Sequence, residues 1–226
     1  MKISGAIFDM DGTLTDSMPV WRTIGSTYLK RRGVTPKEDI DRRFCSMGVF
    51  EAVRIFRNEY GLTESENRLC DDITDMIYDI YANDVMPKNG AVQILRELWE
   101  KKIPVCVATA TDRPMAEAVL SRCGMLKYIM KIFTCREVGV GKRSPDIYLQ
   151  AAKAMGTRPR RTAVFEDATH AAETAKKAGF FVVGLYDESS ACNFEETKKI
   201  ADVCGNDVSD FLGMFEKRKG FFQRHS

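Results

Sequence analysis

The sequence predicts an α/β fold: a Rossmann-like parallel sheet with helices on both faces, plus an inserted all-helical segment. Three observations predict it. Short apolar runs alternate with amphipathic stretches over most of the chain. Those runs lack the polar alternation of a half-exposed strand, so both faces of each strand should be buried. Residues 17–86 interrupt the alternation with helical periodicity and no evident strand.

The elements follow in order. "ISGAIF" (3–8) reads as the first strand. "PVWRTIGSTYLKRRG", "GVFEAVRIFRNEYG" and "SENRLCDDITDMIYDIY" read as the amphipathic helices of a cap spanning 17–86. The α/β core then comprises 1–16 and 87–226, with a basic tail from about 213. "AVQILRELWEKK" sets Ala91, Ile94, Leu95 and Leu98 on one helix face. "IPVCVA" (103–108), "IMKIFT" (129–134), "RTAVFE" (161–166) and "FFVVGL" (180–185) read as further strands. "PMAEAVLSRCG" and "PDIYLQAAKAMG" open on proline and close on glycine, the punctuation of a helix. "THAAETAKKAG" carries alanines 171, 172, 175 and 178 on one close-packing face.

Composition narrows the function classes. The 226 residues suffice for one large domain, or one with a smaller insertion. A net charge of +2 gives no electrostatic case for nucleic acid or an anionic membrane. The N-terminal apolar run is too short for a signal peptide, and no later run approaches membrane-spanning length. Seven scattered cysteines without a Cys-x-x-Cys pair suggest reduced, buried thiols and a cytoplasmic location. With only His170 and His225, a Cys/His zinc site is not expected. The tail "EKRKGFFQRHS" reads as a frayed terminus.

A parallel sheet binds ligands beyond the carboxyl ends of its strands. Asp9 and Asp11 follow the first strand, Thr109 and Thr111 the second, Lys142 and Arg143 the loop after the third, and Glu166 and Asp167 the fourth. Gathered at one edge, the carboxylates would repel unless a cation shared the site. Oxygen ligands suit Mg²⁺, while a lysine, hydroxyls and backbone N–H groups suit a phosphate.

These residues resemble the four motifs of the haloacid dehalogenase superfamily. "DMDGT" resembles the first motif, Thr109 the second, "GKRSPDIYLQAA" on Lys142 the third, and "VFEDATHAAETAKKAG" the fourth. They come in the family's order, and the likeness runs to about residue 212. The helical insertion resembles the small cap of the β-phosphoglucomutase and phosphatase branch. The resemblance implies a Mg²⁺-dependent phosphatase acting through an aspartyl-phosphate on a small phosphorylated metabolite, and a monomer or weak dimer is expected. It implies Asp9 as nucleophile, Asp11 as acid and base, and Thr109 and Lys142 as catalytic groups. It further implies that Gly12, Thr109, the N–H of Ala110 and Lys142 bind substrate, and that Asp9, the main-chain carbonyl of Asp11, Glu166 and Asp167 hold the metal. The cap is expected to open and close over the site.

Other readings compete. "GVGKRS" (139–144) hints at a nucleotide-binding loop, but Arg136 and Arg143 stand where that motif needs glycine and Ser or Thr. Asp11 argues against a dehalogenase, which has no leaving oxygen to protonate, and no cap lysine stands out for phosphonate cleavage. The main alternative is a sugar-phosphate mutase. Mutases tend to carry a histidine where Trp21 stands, and Gly-x-Ser-Arg where "SMGV" (46–49) stands. An apolar loop of Met47, Val49 and Phe50 would face the site instead, or pack the cap. A non-catalytic binding protein of the same fold would be marked by loss of Asp9, Asp11, Lys142 or Asp167, and none is lost. Asp16 and Ser17 read as the start of the first cap helix, and His170 as an exposed helix-start histidine. "KR" at 142–143 departs from the family's usual Lys-Pro.

Overall fold

The structure, a computed structural model, describes residues 3–45 and 49–215. Its centre is a six-stranded parallel sheet in the order β3-β2-β1-β4-β5-β6. The strands are β1 (Gly5–Phe8), β2 (Val105–Thr109), β3 (Lys131–Thr134), β4 (Thr162–Glu166), β5 (Phe181–Leu185) and β6 (Val203–Gly205). Side chains alternate across each strand, which divides the apolar runs between two layers. Ala6, Phe8, Val107 and Phe165 join one buried cluster, and Ile7, Cys106, Ala108 and Val164 the other. The Phe8 and Phe165 rings stack with centroids 4.2 Å apart, holding neighbouring strands together.

The helices cover both layers. On one side lie α5 (Ala91–Glu100), with Ile94, Leu95 and Leu98 buried, and α6 (Arg113–Arg122). On the other lie α8 (Asp146–Ala154) and α9 (Thr169–Lys177), where Ala172 and Ala175 allow close approach to the sheet. The short helices α7 (Cys135–Val138) and α10 (Phe194–Ile200) follow β3 and precede β6.

Between β1 and α5 lie α1 (Met18–Arg31), α2 (Ile40–Cys45), α3 (Val49–Tyr60) and α4 (Glu66–Asn83), with no strand among the described residues there. The hydroxyl of Ser65 caps α4 by accepting from the Arg68 N–H. The buried stripe of α4 runs from Leu69 through Ile73, Met76, Ile77 and Ile80 to Tyr81, so helical periodicity carries Tyr81 inward. These helices share the apolar cluster of the Phe8 layer. Where the chain leaves and re-enters the sheet region, the two passages run side by side. The Asp16 N–H donates to the Met86 carbonyl (2.8 Å), and the Lys88 N–H to the Leu14 carbonyl (2.9 Å).

The five expected strands are present, each within a residue or two of its expected span. The sixth, β6, was not expected, because three half-buried residues carry too little apolar signal. Nor were α2, α7 and α10, each under eight residues. The cysteines correct the expectation of buried thiols: among those described, Cys106 is buried, Cys192 is exposed and the rest are half-buried. The "SMGV" loop lies outside the described residues except for Val49, and so does most of the basic tail. Phe50 is exposed. No described helix is long and apolar enough to cross a membrane.

Candidate active site

β1 lies between β2 and β4, so the chain departs to either side of it and opens a crevice at its carboxyl end. Asp9 follows β1 and is buried, with its N–H bonded to the Phe165 carbonyl of β4 (3.0 Å). The chain then turns tightly. The N–H groups of Leu14 and Thr15 and the Thr15 hydroxyl all donate to the Met10 carbonyl (2.8, 2.9 and 3.0 Å). Gly12 makes that turn at φ +82°, and a Cβ there would lie 2.7 Å from Asp167 Oδ2. The glycine of "DMDGT" thus admits the fourth-strand carboxylate to the first-strand turn.

Two carboxylate environments result. Asp9 faces Lys142, whose ammonium donates to Asp9 Oδ1 and to Glu166 Oε1 (2.8 Å). The Tyr148 hydroxyl donates to the same Glu166 oxygen (2.7 Å). Glu166 Oε2 is buried without a hydrogen-bond partner among the described residues. The Thr13 hydroxyl donates to Asp167 Oδ1 (3.2 Å). One oxygen from each of Asp9, Glu166 and Asp167 falls within 4.8 Å of the others, all three side chains being buried.

Burial dominates the electrostatics here. It pushes the Asp9 carboxyl up against the opposing pull of Lys142, and the Glu166 carboxyl up to about 7. Burial, then Asp9 and Glu166, raise Asp167 well above the usual carboxylate range. For Lys142, burial works against the charge, but Asp9 and Glu166 outweigh it and hold the ammonium above its ordinary value. Three buried carboxylates against one ammonium, with one oxygen lacking any donor, fit a divalent cation bound by oxygen.

Asp11 sits apart from that cluster, among hydroxyls. Ser17 Oγ and Tyr81 OH donate to its Oδ1 (2.6 and 2.5 Å), and Thr111 Oγ1 to its Oδ2 (2.7 Å). Thr109 Oγ1 approaches Oδ2 at 3.4 Å while accepting the Thr111 N–H (3.0 Å). The Trp21 indole N–H donates to Tyr81 OH (2.7 Å).

The structure therefore brings Asp9, Asp11, Gly12, Thr109, Lys142, Glu166 and Asp167 to one sheet edge, with Ala110 exposed just beyond Thr109. Ser17 stands at the start of α1 as expected, but its hydroxyl serves Asp11 and not the helix. Asp16 and His170 are exposed, the latter in the first turn of α9. Burial, then Arg143 and Lys142, lower the His170 imidazole. Sequence reasoning missed Tyr81 and Tyr148 as contacts of the site, because each reaches it from a helix with no local motif. Thr111, placed at this edge beside Thr109 from the sequence, supplies its hydroxyl to Asp11.

Comparison with known proteins agrees with this architecture. A family model described as haloacid dehalogenase-like hydrolase matches residues 3–179. Over 205 residues the chain is 29% identical to validoxylamine A 7'-phosphate phosphatase of Streptomyces hygroscopicus subsp. limoneus, covering 91% of this chain and 94% of that protein. It is 31% identical over 220 residues to (DL)-glycerol-3-phosphatase 2 of Arabidopsis thaliana, covering 93% and 89%. A HAD family hydrolase from Deinococcus radiodurans R1, solved with bound phosphate and sodium, shares the fold with a TM-score of 0.72 at 20% identity, covering 94% of each chain. Likeness of this extent, on a chain whose carboxylates converge at the end of β1, makes the protein a member of the haloacid dehalogenase-like hydrolases.

Proposed function

We propose that the protein is a Mg²⁺-dependent phosphatase that hydrolyses small organic phosphate monoesters, of the sugar or polyol kind, through an aspartyl-phosphate on Asp9. The observation that carries this reading is the separation of two aspartates, one residue apart, into unlike surroundings. Asp9 is held among Lys142, Glu166 and Asp167, whereas Asp11 is held by hydroxyls. A nucleophile and an acid/base have different needs, and environment is what separates two like groups.

In this reading, Asp9 attacks phosphorus, and Asp11 gives its proton to the leaving oxygen and then accepts one from the attacking water. Lys142 offsets charge on the phosphoryl oxygens. Thr109, the Ala110 N–H and the backbone at Gly12 hold those oxygens in place. A divalent cation, held by Asp9, Glu166, Asp167 and the Asp11 carbonyl, would supply charge compensation between Asp9 and the phosphate. The named phosphatase relatives support hydrolysis over transfer between sugar positions. So does Trp21, which stands where mutases tend to carry histidine and whose indole N–H donates to Tyr81.

The test is phosphate release from a panel of polyol, sugar and aryl phosphates with and without Mg²⁺, run beside Asp9→Asn. Wild type should release phosphate only with the cation, and Asp9→Asn should release none above background. Equal release by the two proteins would remove Asp9 as nucleophile. Rapid conversion of β-glucose 1-phosphate to the 6-phosphate, with a bisphosphate primer present, would replace the phosphatase reading with the mutase one.

A further inference from the structure

Asp11 takes hydroxyl donors from three parts of the chain: Ser17 at the start of α1, Thr111 after β2, and Tyr81 near the end of α4. Tyr81 differs from the others in having its own hydroxyl oriented. An indole N–H donates and cannot accept, so the bond from Trp21 Nε1 to Tyr81 OH runs one way. That bond occupies a lone pair on the phenol oxygen and leaves the phenol proton to point at Asp11 Oδ1, 2.5 Å away. The rings of Trp21 and Tyr81 meet edge to face, with centroids 6.3 Å apart, which fixes the geometry further. Tyr81 is 0% exposed, so water does not compete for its hydroxyl. Burial, then the charge of Asp11, raise the phenol above its ordinary range, so it keeps the proton it donates.

We propose that Tyr81, oriented by Trp21, is a positioning residue for Asp11, and that it makes alignment of this carboxylate depend on the seating of α1 and α4 against the sheet. The proposal rests on the reading of Asp11 as acid and base. The hydroxyl donates to the carboxylate left after proton delivery and so holds it in one orientation. Trp21 thereby gains a role that its departure from the mutase pattern left open. Its indole N–H is engaged by the tyrosine that contacts the acid/base.

A group that acts through the general acid matters in proportion to how much the leaving oxygen needs a proton. Alkyl leaving groups need one, while p-nitrophenolate leaves with little help. Kinetics of wild type, Asp11→Asn, Tyr81→Phe and Trp21→Phe are therefore compared on the fastest alkyl phosphate of the panel and on p-nitrophenyl phosphate. Asp11→Asn should lose about a hundredfold or more in kcat/KM on the alkyl ester and far less on the aryl ester, because kcat/KM reports the step in which the leaving oxygen departs and not the later water attack that both esters share. Tyr81→Phe keeps the ring and loses one hydrogen bond to a charged group. It should lose about ten- to a hundredfold in alkyl kcat/KM, and about threefold or less on the aryl ester. Trp21→Phe should move the same way by a smaller factor. If Tyr81→Phe fails to fold, Trp21→Phe carries the test alone.

Wild-type alkyl kcat/KM in these two variants, or an equal loss of kcat/KM on both esters, overturns the positioning role while Asp11→Asn keeps its selective loss. If Asp11→Asn itself shows no difference between the esters, the reading of Asp11 fails and the proposal goes with it. Absence of turnover by wild type on every ester overturns both.

Discussion

Replacing Gly12 by alanine tests how tightly the first-strand turn and the fourth-strand carboxylate are built together. Gly12 has φ +82°, where an L side chain costs roughly 1–2 kcal/mol. The new Cβ would also lie 2.7 Å from Asp167 Oδ2, 3.0 Å from its Cγ and 3.3 Å from its Oδ1. The whole carboxylate must therefore move, and with it the Thr13 hydrogen bond and the place of Asp167 beside Asp9 and Glu166. Gly139 supplies the control. Its φ is +85° and nothing lies within 4 Å of a Cβ built there, so Gly139→Ala carries the backbone strain alone. Thermal unfolding should show Gly139→Ala lowered by about 1–2 kcal/mol and Gly12→Ala by about 2–4 kcal/mol, or roughly 4–16 °C for a chain of this size. Only Gly12→Ala should weaken the rise in Tm on adding Mg²⁺, by about ten- to a hundredfold in cation affinity. Equal Tm and equal cation response in the two variants would refute the reasoning, because the contact with Asp167 would then count for nothing.

Three further outcomes follow from the same geometry. The Glu166 carboxyl sits at about 7 in the folded protein against 4.5 ordinarily, so the folded state holds the proton more tightly. Stability of the cation-free protein should therefore fall as pH rises from about 4.5 to about 7, and Mg²⁺ should raise Tm more at pH 7.5 than at pH 5.5, checked by scanning fluorimetry. Asp187 shows the opposite sign: burial raises its carboxyl, but Lys88 at 2.5 Å and the Ser189 N–H and hydroxyl outweigh that and lower it. Asp187→Ala should cost about 2–3 kcal/mol at pH 7 in denaturant unfolding, a difference that shrinks as pH falls below the ordinary carboxylate range. Tyr148→Phe removes one of two donors to Glu166 Oε1 and should lower stability by about 1–2 kcal/mol, read as a shift in urea midpoint with unchanged slope.

The sheet was legible because its strands are buried on both faces, which leaves short unbroken apolar runs such as Ala6–Phe8 and Ala163–Phe165. The site's acidic and basic residues were legible because each follows a strand, and a parallel sheet carries its strand ends to one edge. Tyr81 and Tyr148 followed no such rule. Each lies on a helix whose apolar stripe reads as core, and only the packing of that helix shows that one hydroxyl at its edge meets a carboxylate. Ser17 was legible as a helix start, but the direction of its hydroxyl depended on Asp11, six residues earlier across a turn. Short elements such as β6 and α7 escaped because their formation rests on contacts with neighbours rather than on periodicity.

The bridge from Lys142 to Asp9 and Glu166 has a consequence for order of arrival. One ammonium faces three carboxylates, so with all of them ionised the protein's own side chains leave this spot with two negative charges in excess. A phosphate ester approaching as a dianion carries the same sign, and in a buried setting such repulsion is only weakly screened. The chain alone is therefore a poor receptor for its own reaction partner. Addition to the site should be sequential, with positive charge preceding the ester, and initial-rate patterns should show an ordered rather than a random scheme.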